Sequence, residues 1–414
     1  MSLAPPAWID VPDPSLLLLV GPPGAGQREF AARHFAAGEV FHVDAGEDLQ
    51  RVTARLTQGK LTVVEGTLVH PDERRPWAAL ARAHDLTATA VVFDLPRSAL
   101  AERWAAAPER DREAFAQQLT ELRRTQGGLL REGFAQVWTL RSPEEVNAVQ
   151  VRRMPLAVCR RDLTGPFDLI GDVHGCLPEL LDLLLRLGYH VEDGTVTPPP
   201  GRRAVFLGDL VDRGPDSAGT LRLVMDMVAA GSALWVAGNH DERLGRALEG
   251  RAIKLQHGLD GTLAELDAAG EMFRAEVRAF LARQVSHLVL DRGRLVVAHA
   301  GLPERYQGRE SSRVTRFTLY GDVDGRTDER GLPVRRDWAA QYRGTARVVY
   351  GHTPVSAPVW IHGTLNIDTG CVFGGALTAL RYPELELVQV PARAQYAVPS
   401  RPFLNTADPQ GGGK

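Results

Sequence analysis

Short apolar runs alternate with helical patterns through the first third of the chain. Ser15–Val20 predicts a buried strand, and the apolar spacing of Gln27–Ala37 predicts a helix. Strands that alternate with helices favour a parallel sheet covered on both faces, so we expect residues 1–150 to form a three-layer α/β domain. The other predicted strands of this region are Leu61–Val64, Ala90–Phe93 and Ala135–Leu140.

The apolar periodicity lapses at residues 151–166, where arginines cluster, and this stretch predicts a linker. A solvated face is the ordinary interpretation of such a charge run, and a substrate-contacting patch is the alternative. A second domain is predicted over residues 167–392, followed by a flexible C-terminal tail at 393–414. The apolar runs of the second domain are Phe167–Ile170, Arg203–Leu207, Ala233–Val236, Leu295–Ala298 and Val348–Tyr350.

Composition sets broad limits on the class of protein. Hydrophobic residues make up 44% of the 414 residues and charged residues 24%, which is ordinary globular usage. The formal net charge of −3 gives no basic surplus of the kind that nucleic-acid-binding proteins carry. Three cysteines are too few for a disulfide framework, and residues 1–14 lack a signal-peptide pattern. We therefore expect a cytoplasmic protein without membrane association.

Each apolar run of the second domain is followed by a short motif that carries chemistry. Asp, Asn and His supply the oxygen and imidazole ligands that suit Mn²⁺, Fe or Zn²⁺, and neighbouring glycines allow the tight turns that bring them together. A lone histidine is more often structural than a ligand, but five such loops in order favour a metal site. The motifs are Gly171-Asp172-Val173-His174-Gly175, Gly208-Asp209-Leu210-Val211-Asp212-Arg213-Gly214, Gly238-Asn239-His240-Asp241-Glu242, Ala298-His299-Ala300-Gly301 and Gly351-His352-Thr353-Pro354.

These residue types fit hydrolysis of a phosphate ester by two metals. Two cations about 3.5–4 Å apart activate a water and clamp the phosphoryl oxygens, and a shared carboxylate such as Asp209 permits that spacing. The guanidinium of Arg213 suits a bidentate contact with phosphate. His240, oriented by Asp212, is the candidate general acid for the leaving oxygen. A structural ion pair with a neighbouring arginine is the alternative role for Asp212.

The five motifs resemble those of the calcineurin-like metallophosphoesterases, in the branch that includes the protein Ser/Thr phosphatases. The resemblance implies an α/β sandwich with a dinuclear centre at the strand ends, where a hydroxide held by the metals attacks phosphorus in line. It implies that Asp172 and His174 bind the first metal and that Asp209 bridges both. The implied ligands of the second metal are Asn239, His299 and His352. The expected ions are Mn²⁺, with Fe, Ni or Zn as alternatives.

A closer likeness runs from about Phe167 to Ala392. Gly165–Ile170, Tyr350–Val355 and Asn366–Gly375 resemble segments in the phosphatase module of bacterial polynucleotide kinase–phosphatase, an RNA-repair family. The likeness implies hydrolysis of 2′,3′-cyclic, 2′- or 3′-phosphates at RNA or nucleotide ends. It also implies a role for Asp368 in the site, a structural role in a turn being the equal alternative.

The N-terminal domain is similar to the P-loop kinase domain of the same family, but its phosphate loop departs from the pattern. Gln27 and Arg28 stand where a working loop has lysine and Ser/Thr. Asp44 stands where that kinase places its general base. We therefore expect a degenerate kinase without productive ATP or GTP binding, with Arg28 replacing the missing lysine as the alternative. The glycine frame that remains for a phosphate is Gly21, Gly24 and Gly26.

The sequence leaves three hypotheses for the function. The first is a metal-dependent phosphoesterase acting on monoesters or cyclic diesters at 2′/3′ RNA or nucleotide ends, with repair partners supplying kinase and ligase activities. The second keeps the chemistry but takes dinucleoside polyphosphates or phosphoproteins as substrates. The third is a non-catalytic binding protein, against which the complete set of metal-ligand types argues. The sequence gives no oligomeric state.

Overall fold

The computed structural model describes residues 7–43, 47–105, 107–192, 194–329 and 333–405. Asp44, the candidate kinase base, lies outside these ranges. The chain divides into two compact units, Met1–Leu156 with Gly308–Ser311, and Ala157–Gln307 with Ser312–Lys414. Within the described residues, no helix is long and apolar enough to cross a membrane.

The first unit alternates strands and helices along the chain. Its strands are β1 Trp8–Asp13, β2 Ser15–Val20, β3 Val40–His42, β4 Thr62–Gly66, β5 Thr87–Phe93, β6 Gln136–Leu140 and β7 Gln150–Pro155. Its helices are α1 Gln27–His34, α2 Glu47–Thr57, α3 Pro71–Ala83, α4 Arg97–Trp104, α5 Glu109–Thr125, α6 Leu129–Glu132 and α7 Pro143–Ala148. The predicted strands and the helix after the glycine loop are confirmed, with ends shifted by a few residues.

Five of the described strands of this unit form a parallel sheet in the order β3-β4-β2-β5-β6, and β1 and β7 pair separately. Side chains alternate along β2, because successive residues of a strand point to opposite faces. Leu17 and Leu19 pack with Phe30 of α1 on one face, whereas Leu16 and Leu18 pack with residues of α2 and α3 on the other. Helices therefore cover both faces, as the three-layer prediction requires.

The first residues of the predicted linker at 151–166 belong to a strand, β7. β7 pairs in parallel with β1, and Arg152 Nε donates to Asp10 Oδ1 across the pair at 2.8 Å. Most side chains of β7 are exposed, so the strand has no apolar pattern from which to predict it. Further along, two backbone hydrogen bonds join residues 158–160 to Val289. The N–H of Val289 donates to Val158 O, and the N–H of Arg160 donates to Val289 O.

The second unit contains strands of both orientations and helices between them. Its strands are β8 Phe167–Ile170, β9 His190–Glu192, β10 Thr195–Thr197, β11 Arg203–Phe206, β12 Ala233–Trp235, β13 His287–Leu290, β14 Leu295–Ala298, β15 Val323–Thr327, β16 Pro333–Arg335, β17 Arg347–Tyr350, β18 Trp360–Ile361, β19 Thr364–Asn366, β20 Ala376–Tyr382 and β21 Glu386–Pro391. Its helices are α8 Leu177–Arg186, α9 Ser217–Ala229, α10 Asn239–Leu248, α11 Leu259–Ala269, α12 Glu271–Leu281 and α13 Ser312–Tyr320.

Two five-stranded sheets of described residues form a sandwich in this unit. Their orders are β12-β11-β8-β20-β21 and β13-β14-β17-β19-β18. Leu169 and Val205 of the first sheet pack with Val297, Val349 and other residues of the second in one buried cluster. The opposite face of the first sheet packs against α8–α12. This is the sandwich flanked by helices that the sequence predicts.

The first part of the predicted flexible tail, residues 393–405, is bound to the rest of the second unit. The N–H groups of Tyr396 and Ala397 both donate to Val372 O at 3.0 Å. Leu404 N donates to Pro354 O at 2.8 Å, close to the last motif loop. Backbone hydrogen bonds with only scattered apolar contacts explain why the sequence gives little sign of this order. Residues 406–414 lie outside the described ranges.

Candidate metal centre

The five motif loops lie at the carboxyl ends of β8, β11, β12, β14 and β17. Parallel strands bring such loops to one edge, which is where α/β proteins place their sites. The side chains delivered there are buried, except that His352 is half-buried. In chain order they are Asp172, His174, Asp209, Asn239, His240, His299 and His352.

His174, Asp209 and His240 form the first candidate metal-binding group, with one ligand atom of each within 4.8 Å of the others. His174 Nδ1 lies 2.9 Å from the carbonyl oxygen of Val211 and must donate to it. Neutral His174 therefore has its lone pair on Nε2, which lies 3.5 Å from Asp209 Oδ2. His174 Nε2 and Asp209 Oδ2 thus direct lone pairs toward the same space.

Asp209, His299 and His352 form the second group, again within 4.8 Å. His299 Nδ1 donates to Leu207 O at 3.0 Å, so its lone pair is on Nε2. That nitrogen lies 3.4 Å from Asp209 Oδ2, 3.2 Å from Asn239 Oδ1 and 3.0 Å from His352 Nδ1. Asp209 is common to both groups, as a bridging ligand must be.

The residues of the centre fit two divalent cations. Lone pairs that face one another without a proton between them need a cation, and His299 Nε2 has this arrangement with Asn239 Oδ1 and Asp209 Oδ2. Asp172 Oδ2 accepts the N–H of His352 at 3.0 Å, but its buried Oδ1 has no hydrogen-bond partner among the described residues. A buried carboxylate oxygen without a partner is costly, and a metal ion satisfies it.

Burial keeps the histidines of the centre neutral, which is the form that binds metal. Loss of hydration lowers the pKa of His174 and of His240 to about 3, and it lowers the pKa of His299 and His352 as well. Burial, followed by repulsion from Asp368 and Asp209, raises the pKa of Asp172 well above its usual value. A cation between these carboxylates would remove the repulsion.

Several residues of the motifs adopt the left-handed backbone region, which sequence analysis did not anticipate. These are His174 and Asp209 with φ 49°, Asp212 and Arg213 with φ 75°, and His352 with φ 74°. Such a conformation strains a residue with a Cβ and tends to persist where function requires it. The backbone is also closely packed at Gly351, beside His352, where an added Cβ would lie 2.0 Å from Asp172 Oδ1.

His240 of the first group also forms a buried pair with Asp212. His240 Nδ1 lies 2.6 Å from Asp212 Oδ2, and Thr262 Oγ1 donates to Asp212 Oδ1 at 2.6 Å. Burial raises the pKa of Asp212 to about 6, so the carboxylate is ionised at neutral pH. The predicted pairing of Asp212 with His240 is present in the structure. Thr262 of α11 was not anticipated, because nothing in the sequence links it to a loop fifty residues earlier.

Two arginines reach the histidines of the centre. Arg213 Nη1 lies 2.9 Å from His174 Nε2, and its guanidinium lies over the ring of Phe373, 5.3 Å from the centroid. Arg335 Nη2 lies 2.7 Å from His352 Nε2. Arg213 was predicted at the site, whereas Arg335 was missed because no motif surrounds it. Both guanidinium groups donate toward positions where ligand nitrogens present lone pairs.

Asp368 lies near Asp172, since a Cβ added at Gly351 would lie 2.0 Å from Asp172 Oδ1 and 3.4 Å from Asp368 Cβ. Its Oδ1 accepts the N–H of Gly370 at 3.0 Å, the contact of an aspartate that stabilises a turn. Burial raises the pKa of Asp368 to about 7. The structure therefore gives it a contact in the turn and a place next to a candidate ligand, and both predicted roles stay open.

The glycine loop of the first unit leads into α1 as predicted. Gly24 and Gly26 have φ values of 78° and 103°, which glycine adopts without strain. The side chain of Gln27 donates from Nε2 to Gly21 O at 2.5 Å and to Pro22 O at 3.3 Å. A cavity of about 420 Å³ lies beside the loop, with Arg28 and Glu65 in its lining. Gln27 thus binds its own loop, where a kinase lysine would bind phosphate.

Both parts of the chain match known families. Residues 165–388, more than half of the chain, match the model for the calcineurin-like phosphoesterases. Residues 47–127 match the model described as AAA domain, so the first unit is AAA-like.

Curated relatives of this chain include bis(5′-nucleosyl)-tetraphosphatases. A bis(5′-nucleosyl)-tetraphosphatase (asymmetrical) of Anoxybacillus flavithermus is 46% identical over 242 residues, which are 57% of this chain and 99% of that protein. Its namesake in Halalkalibacterium halodurans is 50% identical over 231 residues, which are 55% of this chain and 94% of that protein. A solved structure provisionally named a diadenosine tetraphosphatase has 27% identity and a TM-score of 0.43, and the match covers 57% of this chain and 97% of that one.

The matched region contains the sandwich, the five motif loops and the two overlapping groups of ligand atoms. The chain is a hydrolase with an AAA-like first unit, and it belongs to the calcineurin-like phosphoesterase family.

Proposed function

We propose that this chain hydrolyses dinucleoside polyphosphates, and dinucleoside tetraphosphates in particular, in an asymmetric cut. The observation that carries the proposal is the 46% identity to a bis(5′-nucleosyl)-tetraphosphatase over 99% of that protein's length. One phosphoanhydride bond breaks, water supplies a hydroxyl to one product, and the other product takes the proton. A diadenosine tetraphosphate would give one ATP and one AMP.

The ligand groups would hold two divalent ions, Mn²⁺ being our first choice. Asp172 and His174 would bind the first ion, and Asp209 would bind both. The ligands proposed for the second ion are Asn239, His299 and His352. When bound, the ions supply an activated water and charge stabilisation on the phosphoryl oxygens.

His240 would donate the proton that the leaving oxygen needs. Its Nδ1 faces Asp212, so Nε2 is the ring nitrogen that remains for a substrate. The imidazole is neutral when the site holds only protein groups, because burial keeps its pKa near 3. A polyphosphate nearby favours the imidazolium form, since an adjacent negative charge raises the pKa of a histidine. Asp212 is a positioning residue that also stabilises this cation.

Arg213 and Arg335 would bind the phosphate oxygens. Each guanidinium now contacts a histidine of the centre, so a short movement suffices to place it on a phosphate bound there. Guanidinium groups match phosphate in geometry and keep their charge at all physiological pH values. A chain of four phosphates carries enough negative charge to engage both arginines.

A second candidate is cleavage of 2′/3′-phosphates at RNA or nucleotide ends. It is favoured by the AAA-like unit before the phosphoesterase and by the likeness of Tyr350–Val355 and Asn366–Gly375 to the phosphatase module of polynucleotide kinase–phosphatase. On this reading the first unit is a degenerate kinase, and partner proteins supply kinase and ligase activities. A cytoplasmic location remains the prediction from the sequence in either case.

A comparison of substrates decides between the two. The protein is stripped of metal, given Mn²⁺, and assayed on diadenosine tetraphosphate, a 3′-phosphate oligonucleotide, a 2′,3′-cyclic nucleotide and a phosphopeptide. Asp209→Asn serves as the inactive control, and Asp226→Asn, at an exposed position of α9, as the matched surface control. ATP and AMP in equal amounts, with the highest kcat/KM for the tetraphosphate, support the proposal. A preference for the nucleic-acid ends would replace it with the second candidate.

A further inference from the structure

Two thiols and a carboxylate converge in the second unit, apart from the groups described above. Cys176 precedes α8, Glu179 lies in its first turn, and Cys371 follows the turn at Asp368. One ligand atom of each, the two Sγ atoms and a carboxylate oxygen, lies within 4.8 Å of the other two. The three residues are buried, with 0%, 0% and 2% of their surface exposed.

Glu179 is held by one oxygen only. Its Oε1 accepts the N–H of Arg393 at 2.8 Å and the hydroxyl of Tyr396 at 2.9 Å. Its Oε2 is buried and has no hydrogen-bond partner within the described ranges. A buried carboxylate oxygen without a hydrogen bond or a bound cation is costly, so Oε2 is the atom at which a cation would be stabilised.

Arg393 interacts electrostatically with Glu179, but its guanidinium donates to Asp182 Oδ2 at 2.7 Å, and Glu179 Oε2 is left without a hydrogen bond among the described residues. A thiol is a weak hydrogen-bond donor, and the hydrogen bond with Cys176 together with burial raises the pKa of the Cys371 thiol. Burial and the neighbouring carboxylate raise the pKa of Tyr396 to about 12, so its hydroxyl remains a neutral donor to Oε1. A cation that binds sulfur and oxygen together would satisfy Oε2 and stabilise the two thiolates.

We propose that Cys176, Glu179 and Cys371 bind a thiophilic divalent cation of the zinc class, at a third metal position separate from the dinuclear centre. Zinc binds thiolate at about 2.3 Å and carboxylate at about 2.0–2.2 Å, which places tetrahedral ligands roughly 3.5 Å apart. The observed spread of the ligand atoms accommodates this geometry. Binding releases both thiol protons to solvent. The contacts of Glu179 Oε1 are of the kind that orient a metal-binding carboxylate.

The cation would fasten three parts of the second unit. Cys176 lies two residues after His174, and Cys371 lies three residues after Asp368. Glu179 is joined to the C-terminal segment through Arg393 and Tyr396. The ion would thus stabilise the backbone behind two loops of the dinuclear centre without touching the substrate. Its role is structural, and it is independent of which phosphate ester the enzyme cleaves.

Cobalt absorption tests the proposal directly. Protein purified with reductant and stripped by chelator is titrated with Co²⁺, and a thiolate-to-cobalt charge-transfer band should appear in the near ultraviolet. The ligands proposed for the dinuclear centre include no thiolate, so they do not contribute to this band. We expect saturation at one equivalent of ion beyond those held by the dinuclear centre, and loss of the band when Zn²⁺ is added.

Variants separate the proposed site from its surroundings. Cys371→Ser and Glu179→Gln should each lose one equivalent of zinc, and Cys371→Ser should lose most of the cobalt band. Cys159→Ser, at the remaining cysteine, should keep the additional equivalent of zinc and the cobalt band. Asp209→Asn, in which the dinuclear centre is impaired, should keep them as well. Absence of the band in the reduced wild-type protein would overturn the proposal. So would a band that survives in Cys371→Ser, or a Cys176–Cys371 disulfide whose reduction gives a protein that binds no additional ion.

Discussion

His240 Nδ1 lies 2.6 Å from Asp212 Oδ2, and this contact fixes the orientation of the imidazole in the metal centre. Thr262 Oγ1 holds the other oxygen of the same carboxylate at 2.6 Å. The carboxylate therefore has one partner on each oxygen and cannot rotate without losing one of them. His240 is left with Nε2 as the only ring nitrogen that a substrate can meet.

Asp212→Asn should slow turnover while leaving metal content unchanged. The amide removes the charge that stabilises the imidazolium and permits the wrong tautomer, so we expect kcat to fall by about 10²-fold or more, the usual contribution of a general acid. His240→Ala should fall at least as far and likewise keep its metals. Metal content by mass spectrometry accompanies the kinetics. Equal loss of metal in both variants and in Asp209→Asn would contradict the general-acid assignment.

Gly351→Ala should weaken metal binding through Asp172. A Cβ at this position would lie 2.0 Å from Asp172 Oδ1 and must push that side chain aside. We expect at least a tenfold rise in the concentration of Mn²⁺ required for half-maximal activity, in line with displaced metal ligands. The matched control is Gly261→Ala in α11, where an added Cβ meets nothing within 4 Å. Unchanged Mn²⁺ dependence in Gly351→Ala would show that the loop accommodates the methyl group.

His287 should lower the free energy of unfolding of the protein at acidic pH. It is fully buried in β13, and burial lowers its pKa to about 3, against about 6.5 in the unfolded chain. Below pH 6.5 the unfolded state takes up a proton that the folded state excludes. The stabilisation from neutral His287 is therefore complete above pH 6.5 and decreases as the pH falls toward 3.

Urea unfolding at pH 8 and pH 5 measures this effect. The wild-type protein should lose about 2 kcal/mol more of its free energy of unfolding between these pH values than His287→Gln, whose amide does not titrate. The comparison uses only the difference between the two pH values, so a general destabilisation by the substitution cancels. The same pH dependence in both proteins would assign the acid sensitivity to other groups.

The first unit should not transfer phosphate from ATP to a 5′-hydroxyl RNA end. Gln27 bonds to its own loop through Gly21 O and Pro22 O, and Arg28 stands where the metal-binding hydroxyl is needed. Incubation with γ-labelled ATP, Mg²⁺ and such an RNA should leave the RNA unlabelled. Label that appears, and then vanishes on Gln27→Ala or Arg28→Ala, would show that the domain is an active kinase.

The metal-site residues could be predicted because strand ends and ligands are both local features. Apolar runs mark the strands, and Asp172, Asp209 and His299 follow such runs within three residues. Parallel strands then bring the loops together without further information. Their proximity is confirmed by the structure, while their separate roles as ligands remain predictions.

Other features depend on contacts between distant segments or on strained backbone. Thr262 and Arg335 reach the centre from elements that carry no motif, and Glu179 meets Cys371 across nearly half the chain. The left-handed conformations of His174 and Asp209 break a local rule, as functional sites often do. The strand at Gln150–Pro155 was missed because its side chains are mostly exposed.

The substrate was the least predictable property. The motifs predict two-metal chemistry on phosphate, which is compatible with several esters and anhydrides. The likeness to polynucleotide kinase–phosphatase favoured RNA ends, whereas the curated relatives are named for dinucleoside tetraphosphates. Selectivity between these substrates depends on the groove that binds them, which sequence alone does not display.

The number of metal ions needed for hydrolysis tests the account most directly. Stripped protein is titrated with Mn²⁺ while bound ion and hydrolysis of diadenosine tetraphosphate are followed together. To keep the thiol-containing cluster from taking up Mn²⁺, the same titration is repeated with Cys371→Ser. The account predicts no activity without metal and full activity once two ions are bound per chain. In Asp209→Asn, both the activity and the binding of two ions should be lost. Full activity in the stripped protein, or with a single bound ion, would contradict it.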